Sequence, residues 1–266
     1  MTDPFDSLID ELQTKPKAIK RVVDIKPTEL IEDSKQLRLS LRDKVFRVVG
    51  GVEKDLGEEP LKIVVIKAAP ISRIYYQNEY VSGETKAPTC WAANASLGVA
   101  SKEVPEDKRQ STACFSCPQN IKGSGQGISR ACRFQQRLAV MLANHEGVLQ
   151  TESAYHLPLP ATSVFGKNQK KMGLQTYARL IESQGAVLSA IMTELSFDED
   201  SATPKLCFKP FRVLEEAEIT SVKKLQNDPT TKALVASTPR LYTDNGLSTD
   251  NVFNVVEGEG VYVKDL

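Results

Sequence analysis

Apolar residues in the middle of the chain follow the short period of β-strands. The stretch LKIVVIKAAPISRIYYQNEY, residues 61–80, is rich in β-branched and aromatic residues and predicts a long strand that bends or bulges near Pro70. The segments CRFQQRLAVMLAN and VLQTESAYHLPL flank a turn at residues 145–147, as the two strands of a β-hairpin do. A helix over residues 133–143 also fits the first of these segments.

After residue 160 the apolar residues follow the period of a helix, and after residue 185 they again follow the period of strands. Leu174, Tyr177, Leu180 and Ile181 fall on one face of a helix that Ser163 or Asn168 could open and Gly185 could cap. The segments AVLSAIMTELSF and PKLCFKPFRVL then predict two strands joined by a turn at residues 198–204. The next segment, EEAEITSVKKLQ, predicts a helix with an acidic beginning and a basic end.

This order of elements predicts a mainly β (α+β) protein. Five strands with a helix between the third and fourth give an OB-fold-like five-stranded barrel, with a cysteine-rich insertion at residues 88–132 between strands 1 and 2. We therefore expect an N-terminal arm or cap at 1–60, a barrel domain at 61–214, a helix and linker at 215–240 and a mildly acidic tail at 241–266. The loops after strands 1 and 4 flank the ligand-binding face of such a barrel.

Charge is balanced overall but unevenly distributed. The chain of 266 residues carries 34 basic and 34 acidic side chains. Residues 108–145 contain no acid, whereas the last 26 residues carry five acids and one base. This distribution predicts a polyanion-binding face in the middle of the chain and a separate end that is solvated or binds a partner. The acid-free segment contains six basic residues: Lys108, Arg109, Lys122, Arg130, Arg133 and Arg137.

Four of the five cysteines indicate a metal site. Cys90, Cys114, Cys117 and Cys132 include one C-x2-C pair, and four thiolates suit a structural Zn²⁺ ion. An iron–sulfur cluster or four reduced thiols are the alternatives. Metal binding would order a glycine-rich basic loop that lacks an apolar core, and its glycines would let the backbone approach a ligand closely. Cys207 is expected in the core, and neither histidine is favoured as a ligand.

Aromatic and basic residues around the cysteines suit single-stranded nucleic acid, because bases stack on aromatic rings while cations neutralise phosphates. Alternation along a strand prevents Tyr75 and Tyr76 from facing the same side. No paired-carboxylate, Ser–His–Asp or HExxH pattern supports catalysis, so we expect no enzymatic activity. The candidate DNA-binding residues are Arg73, Tyr75, Tyr76, Trp91, Phe115, Lys122, Arg130, Arg133 and Arg137.

Several motifs together resemble a known family. The SRIYY strand, the C…C-x2-CP…GSGQG…ACR segment, LPATSVFG and the PKL-F-P strand are similar to single-stranded DNA-binding proteins of lytic podoviruses whose virions carry an RNA polymerase. The resemblance covers residues 61–214. A looser likeness is to the zinc-containing helix-destabilising proteins of T-even phages, which use a histidine ligand that has no counterpart among these four cysteines.

The resemblance implies an OB-fold protein that coats single strands during phage DNA replication and recombination. It also implies activation of host RNA polymerase at late promoters and contacts with phage replication proteins. In that family pattern Tyr75 contacts DNA, and the chain end contacts proteins through Tyr262, Val263, Lys264, Asp265 and Leu266.

A dedicated transcription regulator with a zinc module and an iron–sulfur nuclease are the alternative functions. No apolar run approaches the ~20 residues of a membrane-spanning helix, and the acidic start MTDPFDSLIDEL does not resemble a secretory signal. We therefore expect a protein without membrane association, located in the cytoplasm of the infected host cell.

Overall fold

The computed structural model describes residues 37–50, 54–57, 60–77, 88–166 and 170–236, and the backbone of 242–243 and 246–247. Ten of the strands form one sheet, and four helices follow its later strands. The strands are β1 (Arg38–Ser40), β2 (Phe46–Val49), β3 (Lys54–Gly57), β4 (Leu61–Ala68), β5 (Ser72–Tyr75), β6 (Cys90–Ala92), β7 (Arg133–Leu142), β8 (Tyr155–Pro160), β9 (Ile191–Phe197) and β10 (Leu206–Val213). The helices are α1 (Ala161–Val164), α2 (Leu174–Ser183), α3 (Glu216–Asn227) and α4 (Pro229–Leu234). Tyr242–Thr243 (β11) and Gly246–Leu247 (β12) form a separate short pair.

The central path of the sheet is compatible with an OB-like fold. Its order is β10-β9-β4-β7-β8, and α2 lies in the chain between β8 and β9. The sheet is mixed, because β1 runs parallel to β8 while the other pairs are antiparallel. It curls into a half-barrel, which confirms the prediction of a mainly β protein. The predicted hairpin, the last two strands and the helix at 215–226 are also confirmed.

The long strand at residues 61–80 breaks where the sequence predicts a bend. β4 pairs with the second half of β7, and β5 pairs with its first half. A register shift lies between Val65 and Lys67, and the N–H of Ala69 donates to the carbonyl of Arg137 at 2.8 Å. The break lets β5 continue along β7 beyond the core, where it carries β6 and the cysteine-rich insertion.

The sheet is apolar on both faces around β4 and β7. On one face, Ile63 and Leu138 pack with Leu174, Tyr177 and other residues of α2. The hydroxyl of Tyr177 lies 2.7 Å from Thr193 Oγ1, so this buried ring has a polar partner. Gly185 ends the helix with a φ of 74°, in the left-handed conformation that glycine adopts without strain, as predicted.

The opposite face is covered by the last two helices. Val222 of α3 packs with Val64 and Met141, and Leu234 of α4 packs with Ala139. The face of β4 and of the second half of β7 is therefore closed to a ligand. The first half of β7, with β5 and β6, continues the sheet toward the insertion.

Part of the predicted N-terminal arm belongs to the sheet. β1 pairs with β8 at Arg38 and His156, and β2 and β3 extend the sheet from there. Residues 37–57, where described, are therefore joined to the sheet by strand pairing. Residues 1–36 lie outside the described residues. Within the part of the chain that the structure describes, no helix has the length and apolar character needed to cross a membrane.

The turn between β9 and β10 is built on one buried carboxylate. Asp198 is 5% exposed and accepts hydrogen bonds from Lys171 Nζ at 2.6 Å and Lys205 Nζ at 2.7 Å. Lys44 Nζ donates to the carbonyl of Asp198 at 3.3 Å. The hydrogen bonds from Lys171 and then Lys205 hold the pKa of Asp198 well below its usual range. The charged form of Asp198 therefore stabilises the folded state.

We expect Asp198→Asn to lower the free energy of unfolding at pH 7 by about 2 kcal/mol, since a hydrogen bond to an ionised group contributes roughly 1.5–3 kcal/mol. Because the pKa is depressed on folding, this stabilisation is fully present above the unfolded pKa of about 4 and is lost progressively as pH falls from there through the lower folded pKa. Urea unfolding at pH 7 and near pH 3 measures both effects. Asp200→Asn is the control, because Asp200 also contacts Lys171 but is 86% exposed. Equal losses in the two variants would contradict this role of Asp198.

Candidate metal centre and nucleic-acid interface

The insertion between β5 and β7 is a long segment with little apolar core. It contains β6 and three short 3-10 turns, at Ala95–Leu97, Glu106–Lys108 and Pro118–Asn120. Over residues 91–132 the buried side chains are those of Ala92, Val104 and Cys117. Hydrophobic burial therefore contributes little to the conformation of this segment, and polar or metal contacts must supply much of the rest.

The four cysteines predicted as metal ligands come together in this insertion. Cys90 lies on β6 opposite Tyr75, and Cys132 directly precedes β7. The N–H of Cys114 donates to the carbonyl of Gly98 at 2.7 Å, and the carbonyl of Cys117 accepts from the N–H of Asn120 at 2.9 Å. All four line the same cavity, and none of them forms a disulfide.

Burial and neighbouring groups shift the pKa values of two of these thiols. Burial raises the pKa of Cys132 to about 11; Arg73 opposes this increase, and the thiols of Cys117, Cys114 and Cys90 add to it. The pKa of Cys114 is raised by burial first, with smaller increases from Cys90 and Cys117 and a decrease from Arg73. A guanidinium and four thiols thus share one pocket.

The donor set suits zinc, but the described residues do not form a closed site. Four soft thiolates are the ligands that Zn²⁺ takes in structural sites. Among the residues that the structure describes, no group of three or more His, Cys, Asp or Glu side chains is positioned to hold a metal ion. The predicted structural zinc is therefore not shown, while the grouping of the four thiols in one cavity is.

Arg73 lies inside this pocket and holds the insertion to the sheet. Its guanidinium carbon is 3.9 Å from the centre of the Phe134 ring, and its Nη1 donates to Asn120 Oδ1 at 2.6 Å. Asn120 in turn donates through Nδ2 to the carbonyl of Cys114 at 3.0 Å. The residue predicted to neutralise a phosphate is thus held by a cation–π contact and by the cysteine loop.

The strand pairing separates the other candidates onto two faces. Ile74 lies opposite both Trp91 and Arg133, so these three residues share one face of the sheet. Tyr75 lies opposite Cys90, on the face of the thiol pocket, and is half-buried. Tyr76 is 47% exposed. The two tyrosines therefore differ in environment, and Tyr76 follows the last residue of β5.

The insertion exposes an aromatic ring and several cations. Phe115, within the C-x2-C turn, is 83% exposed, and Lys122, Arg130 and Arg133 are exposed as well. The apolar side chain of Ile128 is 91% exposed beside them in the sequence. The sequence pattern gives no sign of the exposure of Ile128, because an apolar residue in a glycine-rich loop has no strand or helix period to mark it. Exposed aromatic and cationic groups on one segment are typical of surfaces that bind single-stranded nucleic acid, and Phe115 and the three cations fit this description, whereas Ile128 has no ring.

The glycine-rich loop is closed on itself. The N–H groups of Gly123 and Gly125 both donate to the carbonyl of Ser129, at 2.9 and 3.1 Å. A Cβ at Gly125 would lie 2.7 Å from Ser129 Oγ, so glycine is needed here for packing within the loop. These amides are engaged internally, and this conformation does not offer them to a phosphate.

Arg137 differs from the other basic candidates because it is buried, at 5% exposed. It occupies the same face of β7 as Ala139, which packs against Leu234 of α4. We therefore leave Arg137 out of the candidate interface. The predicted partner-binding residues, Tyr262, Val263, Lys264, Asp265 and Leu266, lie outside the described residues. Cys207 is buried in β10, as expected.

No protein-family model, curated protein or solved structure matches the chain.

Proposed function

We propose that the protein is a non-enzymatic, sequence-tolerant single-stranded DNA-binding protein. The observation that carries the proposal is the insertion, where the exposed ring of Phe115 lies in the same acid-free segment as exposed Lys122, Arg130 and Arg133. Cations of this kind neutralise the phosphate backbone of single-stranded DNA, and its unpaired bases stack on accessible aromatic rings.

The fold supports the same proposal. The five-strand path is compatible with an OB-like fold, and we propose that it serves as a five-stranded OB barrel with the insertion as the loop after its first strand. In such barrels this loop flanks the face that binds oligonucleotides. Helices α3 and α4 cover β4 and the second half of β7. The part of this face that is best placed for DNA therefore consists of β5, β6 and the insertion.

Within this interface we propose different contacts with DNA for the exposed and the half-buried residues. Lys122, Arg130 and Arg133 neutralise phosphates, while Phe115 and Trp91 stack on bases. Tyr76 is accessible for a further contact. Tyr75 lines the thiol pocket, and its assignment as a DNA contact is supported only by the family resemblance. Arg73 supports the insertion from inside.

The same resemblance extends the proposal to phage DNA replication and recombination, and to activation of host RNA polymerase through residues 262–266. These roles require a partner surface distinct from the insertion, since the chain end carries acids where the insertion carries bases.

Titration against oligo(dT), duplex DNA and oligo(U) tests the proposal. Trp91 is the single tryptophan, so its fluorescence reports binding directly. We expect oligo(dT) to bind more tightly than duplex DNA, and mixed-sequence single strands to bind about as well as oligo(dT). Three phosphate contacts give a log–log salt slope of about −2, so affinity should fall about 20-fold between 50 and 200 mM salt. Equal affinity for duplex DNA, or affinity independent of salt, would contradict the proposal.

A further inference from the structure

The cysteine-rich insertion has a defined path that its apolar contacts do not account for. Residues 91–132 bury only Ala92, Val104 and Cys117. The hydrogen bonds within the insertion are mostly local, such as the turn in which the Asn120 N–H donates to the carbonyl of Cys117 at 2.9 Å. A segment of this length needs a further source of folding free energy, and a metal ion is one that four thiols can supply.

The thiols come from two different parts of the structure. Cys90 and Cys132 belong to the sheet side, at β6 and at the start of β7. Cys114 and Cys117 belong to the loop of the insertion between these two residues. All four cysteines line one cavity. An ion bound by all four would tie the loop to the sheet at the centre of the insertion.

We propose that Cys90, Cys114, Cys117 and Cys132 together bind one Zn²⁺ ion, and that Arg73 compensates the charge of the resulting centre. The site closes when the thiols, which already line one cavity, turn toward one another by a change of side-chain rotamers. Each thiol gives up its proton to the solvent when it binds the ion. The proposal is independent of DNA binding.

Arg73 is placed to act as the outer partner of such a centre. Four thiolates around Zn²⁺ leave a net charge of −2, which is costly in a pocket without a nearby cation. Arg73 lines the same cavity as the four thiols, and Phe134 and Asn120 fix its position. Loss of such a partner typically weakens metal binding by about 10- to 100-fold without removing a ligand.

Metal analysis of the full chain tests the proposal. We expect one zinc per chain in protein purified without added metal, and a visible spectrum of tetrahedral thiolate coordination after replacement by Co²⁺. Cys117→Ser should weaken Zn²⁺ binding roughly 100-fold or more, as a ligand counts for more than an outer partner. Cys207→Ser is the matched control, because Cys207 lies in β10 outside the cavity, and it should keep one zinc.

Arg73→Met tests the role of the guanidinium, because methionine keeps much of the side-chain length and removes the charge. We expect it to bind one Zn²⁺ about 10- to 100-fold more weakly, with an unchanged Co²⁺ spectrum. Wild-type protein that contains no metal and gives no tetrahedral Co²⁺ spectrum would overturn the proposal, as would iron in place of zinc. Such a protein that still binds oligo(dT) would leave the proposed function intact, so the two failures are distinguishable.

Discussion

Neutralising Lys122, Arg130 and Arg133 together, each by substitution with glutamine, should weaken binding to oligo(dT) about 50-fold at 0.15 M salt. Each contact between a cation and a phosphate of a single strand contributes about 0.7 to the log–log salt slope, which is about fourfold in affinity at this salt concentration. The slope itself should fall by about 2. All three side chains are exposed, so the fold should not be affected. Titrations at several salt concentrations measure both quantities.

A variant with the same change of charge elsewhere is the control. Lys209, Lys223 and Lys224 are also exposed, and they lie on β10 and α3. Their replacement by glutamine should change the affinity for oligo(dT) by less than about threefold, through the long-range field alone. If the affinity for oligo(dT) and the salt slope fell as much in the control variant as in the insertion variant, the insertion would not be the binding face.

Phe115→Ala should weaken binding to oligo(dT) by about 5- to 150-fold, because stacking of a base on an aromatic ring contributes about 1–3 kcal/mol. The free energy of unfolding should stay within about 0.5 kcal/mol of wild type, since the side chain is 83% exposed and buries little surface on folding. Fluorescence titration and urea unfolding of the same preparation separate the two effects.

Ile128→Ala is the matched variant for this prediction. Ile128 is apolar, 91% exposed and part of the same insertion, but it has no ring. We expect it to bind oligo(dT) within about twofold of wild type, because an aliphatic side chain offers no stacking. An equal loss in Phe115→Ala and Ile128→Ala would indicate a general apolar contact, and no loss in either would remove Phe115 from the interface.

The central strands could be predicted because their pattern is local. β4, β9 and β10 are short runs rich in β-branched or aromatic residues, and α2 has a clear apolar face with a glycine after its last turn. The position of the insertion followed from the same reasoning, because it lies between two such strands. These features depend on residues that are close in the sequence, so the period of apolar residues is sufficient to find them.

Features that depend on long-range pairing could not be predicted. β1 and β2 are three and four residues long and have no strong period of their own; they are strands because β1 meets β8 at His156. Arg137 looked like a phosphate ligand in a basic segment, yet it shares a face of β7 with residues that α4 covers. The sequence could exclude a common face for Tyr75 and Tyr76, but only the pairing of β5 with β6 shows that Tyr75 faces the thiols.

The thiol pocket combines both kinds of information. The C-x2-C spacing predicts two neighbouring ligands from the sequence alone. Cys90 and Cys132 reach them through the pairing of β5 with β6 and with β7, which no local pattern encodes. The guanidinium of Arg73 reaches the same pocket because it precedes Tyr75 by two residues on β5 and therefore points to the same side.

Photo-crosslinking of the full chain to oligo(dT), followed by mass spectrometry of the crosslinked peptides, tests the central claim most directly. If the insertion and the adjoining strands bind single-stranded DNA, crosslinks should concentrate in the peptides that contain Phe115 and Trp91, and an excess of unlabelled oligo(dT) should suppress them. Crosslinks confined to α3, α4 or β10, or no crosslinks that the competitor suppresses, would contradict the account.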